Sequence, residues 1–359
     1  MDFKKIFIPG VKPTSIGGQA VMDGVMMRGP DRMALAMRLP GGDVYLRTEK
    51  QKPPGRWRKI PLVRGVVSFV QSLATGMGTL MDSADILERY LPEEEAEEPT
   101  RFENWLNDRF GPRAAWNVML TISVILAIAI TVLGFVIFPT WAVNWLGAFI
   151  HSDIALNLIE GIFRILLFLL YIVAIRKMDD VDTMFRYHGA EHKSIHTFES
   201  GLELIPENAR QFPTLHPRCG TSFLMFVMIV SLLLFSFLGW PSLGMRIASR
   251  ILLIPVIAGI SYELLRWAGR SDNVIVRWLS VPGLLFQKIT TAEPDDSQVE
   301  IAMTALNAVL VDPDAPDVDG VVGEEDEEDE KEKDEPQEGS EEDPEVDGVP
   351  PEYEEGQDE

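Results

Sequence analysis

Apolar residues in this chain gather into a few long runs, and polar stretches divide those runs into regions of different character. In residues 1–60, "MALAMRLPGGDVYLRTE" places two short runs around a Gly-rich turn, the pattern of a β-hairpin. Just before it, "GGQAVMDGVMMRGP" is rich in Gly and Met, and its glycines would let the backbone approach a ligand closely. From Pro61 onward, Leu62, Val66, Phe69, Val70, Leu73, Met77 and Leu80 fall on one helical stripe. The 17 residues between Arg64 and Asp82 carry no charge, which predicts a buried or interfacial helix at the short limit for a bilayer. "PEEEAEEPT" is a solvated linker, and Thr100 with Glu103 forms a capping-box pattern for a short helix to about Phe110.

Longer uncharged runs follow. Ala114 to Ile150 predicts a first membrane span near 116–138, ended by Pro139. A second span, about 156–175, carries Glu160 and Arg164 at i,i+4, a pair suited to neutralising itself inside a bundle. A third, about 220–239, lies within the uncharged run from Cys219 to Met245. A fourth, about 247–265, has Arg250 and Glu263 near its ends and Pro255 inside. "NVIVRWLSVPGLLFQKITT" then predicts an interfacial segment, and "DDSQVEIAMTALNAVL" an acid-capped amphipathic helix. The fold class expected is a mainly α, polytopic membrane protein with about four transmembrane helices, a small β-containing N-terminal region and a disordered acidic C-terminal tail. Its divisions are 1–60 (β-containing), 61–113 (interfacial helices and acidic linker), 114–270 (membrane domain with a His-rich loop at 176–219), 271–310 (interfacial and amphipathic helices) and 311–359 (tail).

Charge refines this picture. Residues 312–359 hold 25 Asp+Glu and 2 Lys, so the net charge of −23 belongs to the tail, and the remainder balances 30 acidic against 30 basic residues. That distribution gives no reason to expect a nucleic-acid partner. Lys and Arg crowd the N-terminal region, the 176–218 loop and the stretch after 265, while the 139–155 loop has none. The expected topology is therefore multi-pass in the cytoplasmic membrane with both termini in the cytoplasm. The single cysteine, Cys219, permits no internal disulfide and suits a reducing compartment.

The chemistry concentrates in "YHGAEHKSIHTFE", Tyr187 to Glu199. On a helix, His188, His192 and His196 project one turn apart, and two imidazoles at i,i+4 can share one divalent metal ion. Further ligands could come from His216 and Cys219 of "HPRC", or from Glu263. Glu191 sits where it could act as general base toward metal-bound water, and His188 to His192 satisfies H-x-x-E-H. Lys193 and Arg218 are candidates for holding an anionic substrate group or a lipid phosphate. Zinc suits imidazole and thiolate, whereas manganese or iron would suit a carboxylate-rich set. The competing interpretation is a juxtamembrane helix with an ordinary polar face.

Taken together, "GGQAVMDGVMMRGP", "YHGAEHKSIHTFE" and "HPRCGTSFL" resemble the YqhQ-like family of bacterial membrane proteins, a domain of unknown function (family 1385) described as predicted metal-dependent enzymes. The resemblance covers roughly residues 14–310 and implies a multi-span cytoplasmic-membrane protein. Its pattern falls on Gly17, Gly18, Gln19, Met26, Met27 and Arg28, on Tyr187 to Lys193 with Glu199, and on His216 and Arg218 to Thr221. Asp23 stands where the family usually has Glu. Gly17, Gly18, Gln19, Asp23 and Arg28 are accordingly candidate cofactor-binding residues. The expected function is a metal-dependent, hydrolytic membrane enzyme acting at the cytoplasmic face on a lipid-like or membrane-associated substrate. The alternatives are a scaffold that a metal ion staples together or, on Glu160 and Arg164, a transporter.

Overall fold

The computed structural model describes residues 6–8, 14–51, 60–92, 100–239, 242–268 and 274–322. The chain is mainly helical, with one antiparallel sheet in the order β1-β2-β3-β4-β5. The strands are β1 (Gly17–Val21), β2 (Gly24–Arg28), β3 (Arg32–Arg38), β4 (Val44–Lys50) and β5 (Asp319–Val321). β3 and β4 form the expected hairpin, with Ala36 opposite Leu46 and Gly42 at φ 96° in the turn. "GGQAVMDGVMMR" is also a hairpin, in place of the expected ligand-approaching loop. Val21 pairs with Gly24 across a two-residue turn in which Asp23 adopts φ 47°. Asp suits this turn position because it tolerates left-handed backbone better than most residues, and Gly24 follows as the first residue of β2.

The helices are α1 (Val63–Tyr90), α2 (Arg101–Phe110), α3 (Pro112–Val132), α4 (Phe138–Leu146), α5 (Asp153–Ile175), α6 (Asp179–Glu199), α7 (Pro206–Ala209), α8 (Thr221–Ser236), α9 (Leu243–Ala268), α10 (Val274–Thr290) and α11 (Asp296–Leu310). The sheet is apolar on both faces. Val25, Met27, Ala34 and Ala36 pack against Tyr187, Ala190 and Ile195 of α6 and Val299 to Val309 of α11. Met26, Leu35 and Met37 face Ile86 of α1. Alternate side chains point to opposite faces of a strand, and the alanines of β3 and α11 let helix and sheet approach closely. Asp295 and Gln298 cap α11 reciprocally, the acid cap expected there.

Among the described residues, three helical stretches are long and apolar enough to cross a membrane: Thr121–Leu146, Asp153–Ile175 and Gly244–Ala268. The expected third span is instead the 16-residue α8. It starts only after the turn at Cys219–Gly220 and reaches about 24 Å, short of a hydrocarbon core of about 30 Å. Pro139 does not end the first stretch. A π-helical turn at Leu133–Ile137 precedes it, and Pro139 sits in the first turn of α4, where a missing N–H is tolerated. Pro255 likewise lies within α9 without breaking it.

Two further features concern surfaces. The apolar stripe of α1 points outward, with Val70, Leu73 and Met77 all more than half exposed. Apart from Ile86, the buried residues of the helix are small (Gly65, Gly76, Thr79 and Ser83), and a Cβ on Gly65 would come within 2.8 Å of Gly259 Cα in α9. The tail, expected to be disordered from 311, is folded as far as the described residues extend, while 323–359 and the 93–99 linker lie outside them. Arg32, only 1% exposed, donates to the Ala315 and Pro316 carbonyls and to Asp317, pinning the segment that leads into β5.

Candidate metal centre

Helix α6 opens with Asp179, Asp180 and Asp182 in its first turn, a favourable charge for a helix N-terminus. It then runs into the interior, where Tyr187 to Thr197 are all buried. A polar helix can be buried on every side only if neighbouring backbone satisfies its side chains, and two glycines bring that backbone close. A Cβ on Gly189 would lie 2.1 Å from the Ala292 carbonyl oxygen, so glycine there admits the 290–292 segment. A Cβ on Gly18 would meet Met26 O at 2.6 Å and Glu191 Cδ at 2.9 Å, so glycine there admits β1.

The approach of these segments orients the imidazoles. His188 Nδ1 lies 2.8 Å from the Thr290 carbonyl oxygen, and His192 Nδ1 lies 2.5 Å from that of Thr214. A carbonyl only accepts, so each Nδ1–H donates, which leaves Nε2 of each ring as the position for a metal ion. His188 Nε2 lies 3.2 Å from Cys219 Sγ. His192 Nε2 is buried and has no hydrogen-bond partner among the described residues. The ligand atoms of His188, His192 and Cys219 all lie within 4.8 Å of one another.

Cys219 stands two residues before α8, and its sulfur receives the Thr221 hydroxyl at 3.0 Å and backbone N–H at 3.4 Å. Burial alone would raise the thiol pKa, but the neighbouring His192 and these Thr221 donors outweigh it and lower the value. Burial lowers the His192 pKa and keeps the ring neutral. Glu191 accepts from the Gly18 N–H at 3.0 Å through Oε1, while Oε2 is buried with no partner among the described residues. Burial pushes its carboxyl up to about 7, assisted by Cys219 and opposed by His188 and the Gly18 N–H.

The other expected site residues lie elsewhere. Glu263 is bound to Arg64, with Nε to Oε1 at 2.6 Å, and does not join the three-residue group. His216 faces a second cluster, its Nε2 3.6 Å from Glu199 Oε2 and 3.5 Å from the Arg218 guanidinium. Burial lowers its pKa to about 3, leaving it neutral. Arg218 is paired with Glu199, which also accepts from the Thr14 backbone and hydroxyl at 2.9 Å each. Burial would raise the Glu199 carboxyl, but His216, Thr14 and Arg218 hold it at about 2. His196 stacks on Phe212 and bonds the Leu215 carbonyl, and burial lowers its pKa to about 4. Lys193 Nζ lies 2.5 Å from Glu293.

Of the first-motif residues, Gly18 alone touches the centre. Gln19 donates to Gly76 O at 3.2 Å, Arg28 to Gln51 at 2.8 Å, and Asp23 occupies the hairpin turn, where burial raises its pKa. Gly17 meets nothing within 4 Å of where a Cβ would be. Sequence reasoning did not single out Gln287, which is fully buried and clamps the His216 backbone at both N–H and C=O. Its signal was a lone amide in the apolar run "GLLFQK".

Comparison with known proteins agrees with the sequence motifs. The family described as "Protein of unknown function (DUF1385)" matches residues 60–312. The chain is 31% identical over 302 residues to "Uncharacterized protein YqhQ" of Bacillus subtilis (strain 168), a match covering 83% of this chain and 93% of that protein. No solved structure matches. Since the family match takes in well over half of the chain, the chain belongs to the DUF1385 family.

Proposed function

We propose that this chain is a membrane-embedded, metal-dependent enzyme of hydrolytic type, with a divalent ion held by His188, His192 and Cys219. The observation that carries the proposal is the shared tautomer. Two histidines one turn apart both commit Nδ1–H to backbone carbonyls and turn Nε2 toward one thiol. Ligating histidines are held in this way, and a thiolate with two imidazoles favours zinc over manganese or iron. Three protein ligands leave the fourth tetrahedral position open, the hallmark of a catalytic rather than a structural site.

An ion there would supply Lewis-acid polarisation and an acidified water. The protein's own contribution is Glu191. Its Oε1 is fixed by the Gly18 N–H, its Oε2 is unengaged among the described residues, and its pKa of about 7 suits proton transfer near neutrality. The site lies beside apolar helices: α6 follows α5, a candidate span, by a short turn, and Cys219 lies just before the shorter α8. Together with the basic residues of the 176–218 loop, this supports a centre at the cytoplasmic membrane face that acts on a lipid-like or membrane-associated substrate.

The scaffold reading draws on one observation: all three ligands are less than a tenth exposed. Glu191→Gln in the purified full chain and in a complemented deletion strain separates the two. Retained metal with lost complementation supports catalysis. Retained metal with full complementation refutes the base role and leaves the staple, and a metal-free wild-type protein refutes both.

A further inference from the structure

A second site lies among the apolar helices. A cavity of about 590 Å³ opens between α3, α5 and α8, within the size range of small-ligand pockets. Arg164 and Arg250 line one part of it, and both donate to the same carboxylate oxygen, Glu160 Oε1, at 2.6 and 2.8 Å. Thr140 donates to that oxygen as well, at 2.9 Å. Two guanidiniums therefore share one acceptor, and a third, Arg246, lies 3.9 Å from Oε2. Arg164 and Arg250 thus bring two positive charges to the one carboxylate they share, in surroundings where charge is expensive.

Local structure holds the guanidiniums in place. The π-helical turn at Leu133–Ile137 coincides with a bond from Arg164 Nε to the Phe135 carbonyl at 2.9 Å. The Arg250 guanidinium lies 5.4 Å from the Phe235 ring centroid. Away from the arginines the cavity is apolar, along Phe168, Leu224 and Met228. Its lining runs from Asn157 to Tyr171 of α5, about 21 Å at the helical rise. Ile130 and Tyr171, both about half exposed or more, open it sideways.

A cationic end joined to a long apolar slot with a lateral opening fits one ligand chemistry. We propose that this cavity holds an anionic phospholipid, its phosphate on Arg164 and Arg250 and one acyl chain along Phe168 and Met228. Guanidinium groups recognise phosphate through paired, charge-assisted hydrogen bonds. The site shares no residue with the His188–His192–Cys219 centre and stands whether or not that centre binds metal.

The test measures lipid retained by the detergent-purified full chain, using native mass spectrometry with phosphatidylglycerol and phosphatidylcholine in competition. Phosphatidylglycerol should be retained about tenfold over phosphatidylcholine, the scale of one charge-assisted hydrogen bond. Met228→Trp, which fills the slot and leaves the arginines untouched, should reduce retention by a similar factor. Arg250→Gln should do the same. If that variant does not fold, Glu160→Gln, which removes the competing carboxylate, should increase retention. Equal retention of the two lipids overturns the proposal, as does phosphatidylglycerol retention unmoved by Met228→Trp. Inorganic phosphate that displaces the lipid and survives Met228→Trp would reveal an anion site alone, and that also overturns it.

Discussion

Helix α6 and helix α9 are built on opposite plans. In α6, eleven consecutive residues from Tyr187 to Thr197 are buried although most of them are polar. In α9, Leu252 is 78% exposed within a stretch long and apolar enough to cross a membrane. Burial alone therefore says little about either helix. An outward apolar face is consistent with a lipid surrounding, while an inward polar helix depends on finding a partner for each donor and acceptor. On α6 that matching succeeds for most groups and leaves Glu191 Oε2, His192 Nε2 and Ser194 Oγ without partners among the described residues. Two of these three atoms, on the adjacent Glu191 and His192, are ones the proposed chemistry uses.

The sharpest way to break the comparison is to push the neighbouring backbone away from α6. Gly189→Val would place a side chain 2.1 Å from the Ala292 carbonyl oxygen, which is backbone and cannot rotate aside. The variant should lose at least about 3 kcal/mol or fail to fold, as read by thermal unfolding in detergent. An unfolding temperature within about 2 °C of the parent would show that the close approach is not required.

Removing a ligand tests the leftover atoms themselves. His192→Ala and Cys219→Ser should each lower bound zinc by at least about tenfold in elemental analysis of the purified chain. A chelator should lower the unfolding temperature of the parent and leave both variants unchanged, because only a protein that binds metal is stabilised by it. Equal metal content in all three proteins would remove the centre from consideration.

A smaller effect follows from Glu199. Its folded pKa, about 2, lies below the ordinary 4.5, so its contribution to stability is fully present above pH 4.5 and is lost as pH falls toward 2. After allowance for solvent screening the contribution is about 2 kcal/mol. Glu199→Gln should therefore be less stable than the parent at pH 7, with the gap closing in acid. A gap constant from pH 7 to pH 2 would show that the carboxylate's charge is not what holds Arg218 and Thr14.

The periodic features were legible in the sequence: the β3–β4 hairpin, the α11 cap, three of the apolar helices and the one-turn spacing of His188 and His192, with the third member of that group left open among His216, Cys219 and Glu263. Features set by long-range approach were not. Nothing in "HGAEH" shows that the Thr290 and Thr214 carbonyls will meet the two Nδ1 atoms, because those oxygens belong to backbone 102 and 22 residues away. Glu263 looked available as a ligand, yet Arg64, 199 residues earlier in the chain, occupies it. On α1 the sequence left a buried and an interfacial helix both open, and the structure turns Val70 and Met77 outward while Gly65, Gly76, Ser83 and Ile86 are buried. A period of 3.6 locates a face without saying which solvent it meets. The strand at 319–321 was hidden by acidic composition, which Arg32 and the β4 edge override locally.

The smallest expected effect tests the other half of the comparison. Leu252→Ala removes side-chain atoms that have little protein against them, so in detergent it should change stability by under about 0.5 kcal/mol. Ile257, five residues further along the same helix, is 4% exposed, and Ile257→Ala should cost about 2–5 kcal/mol. The two substitutions share helix, chemistry and surroundings along the chain and differ in what the side chain touches. If both are mild, α9 is loosely held and its inner face resembles its outer one. If both are severe, Leu252 meets protein in the folded assembly, and its exposed face is an interface between chains instead of a lipid-facing surface.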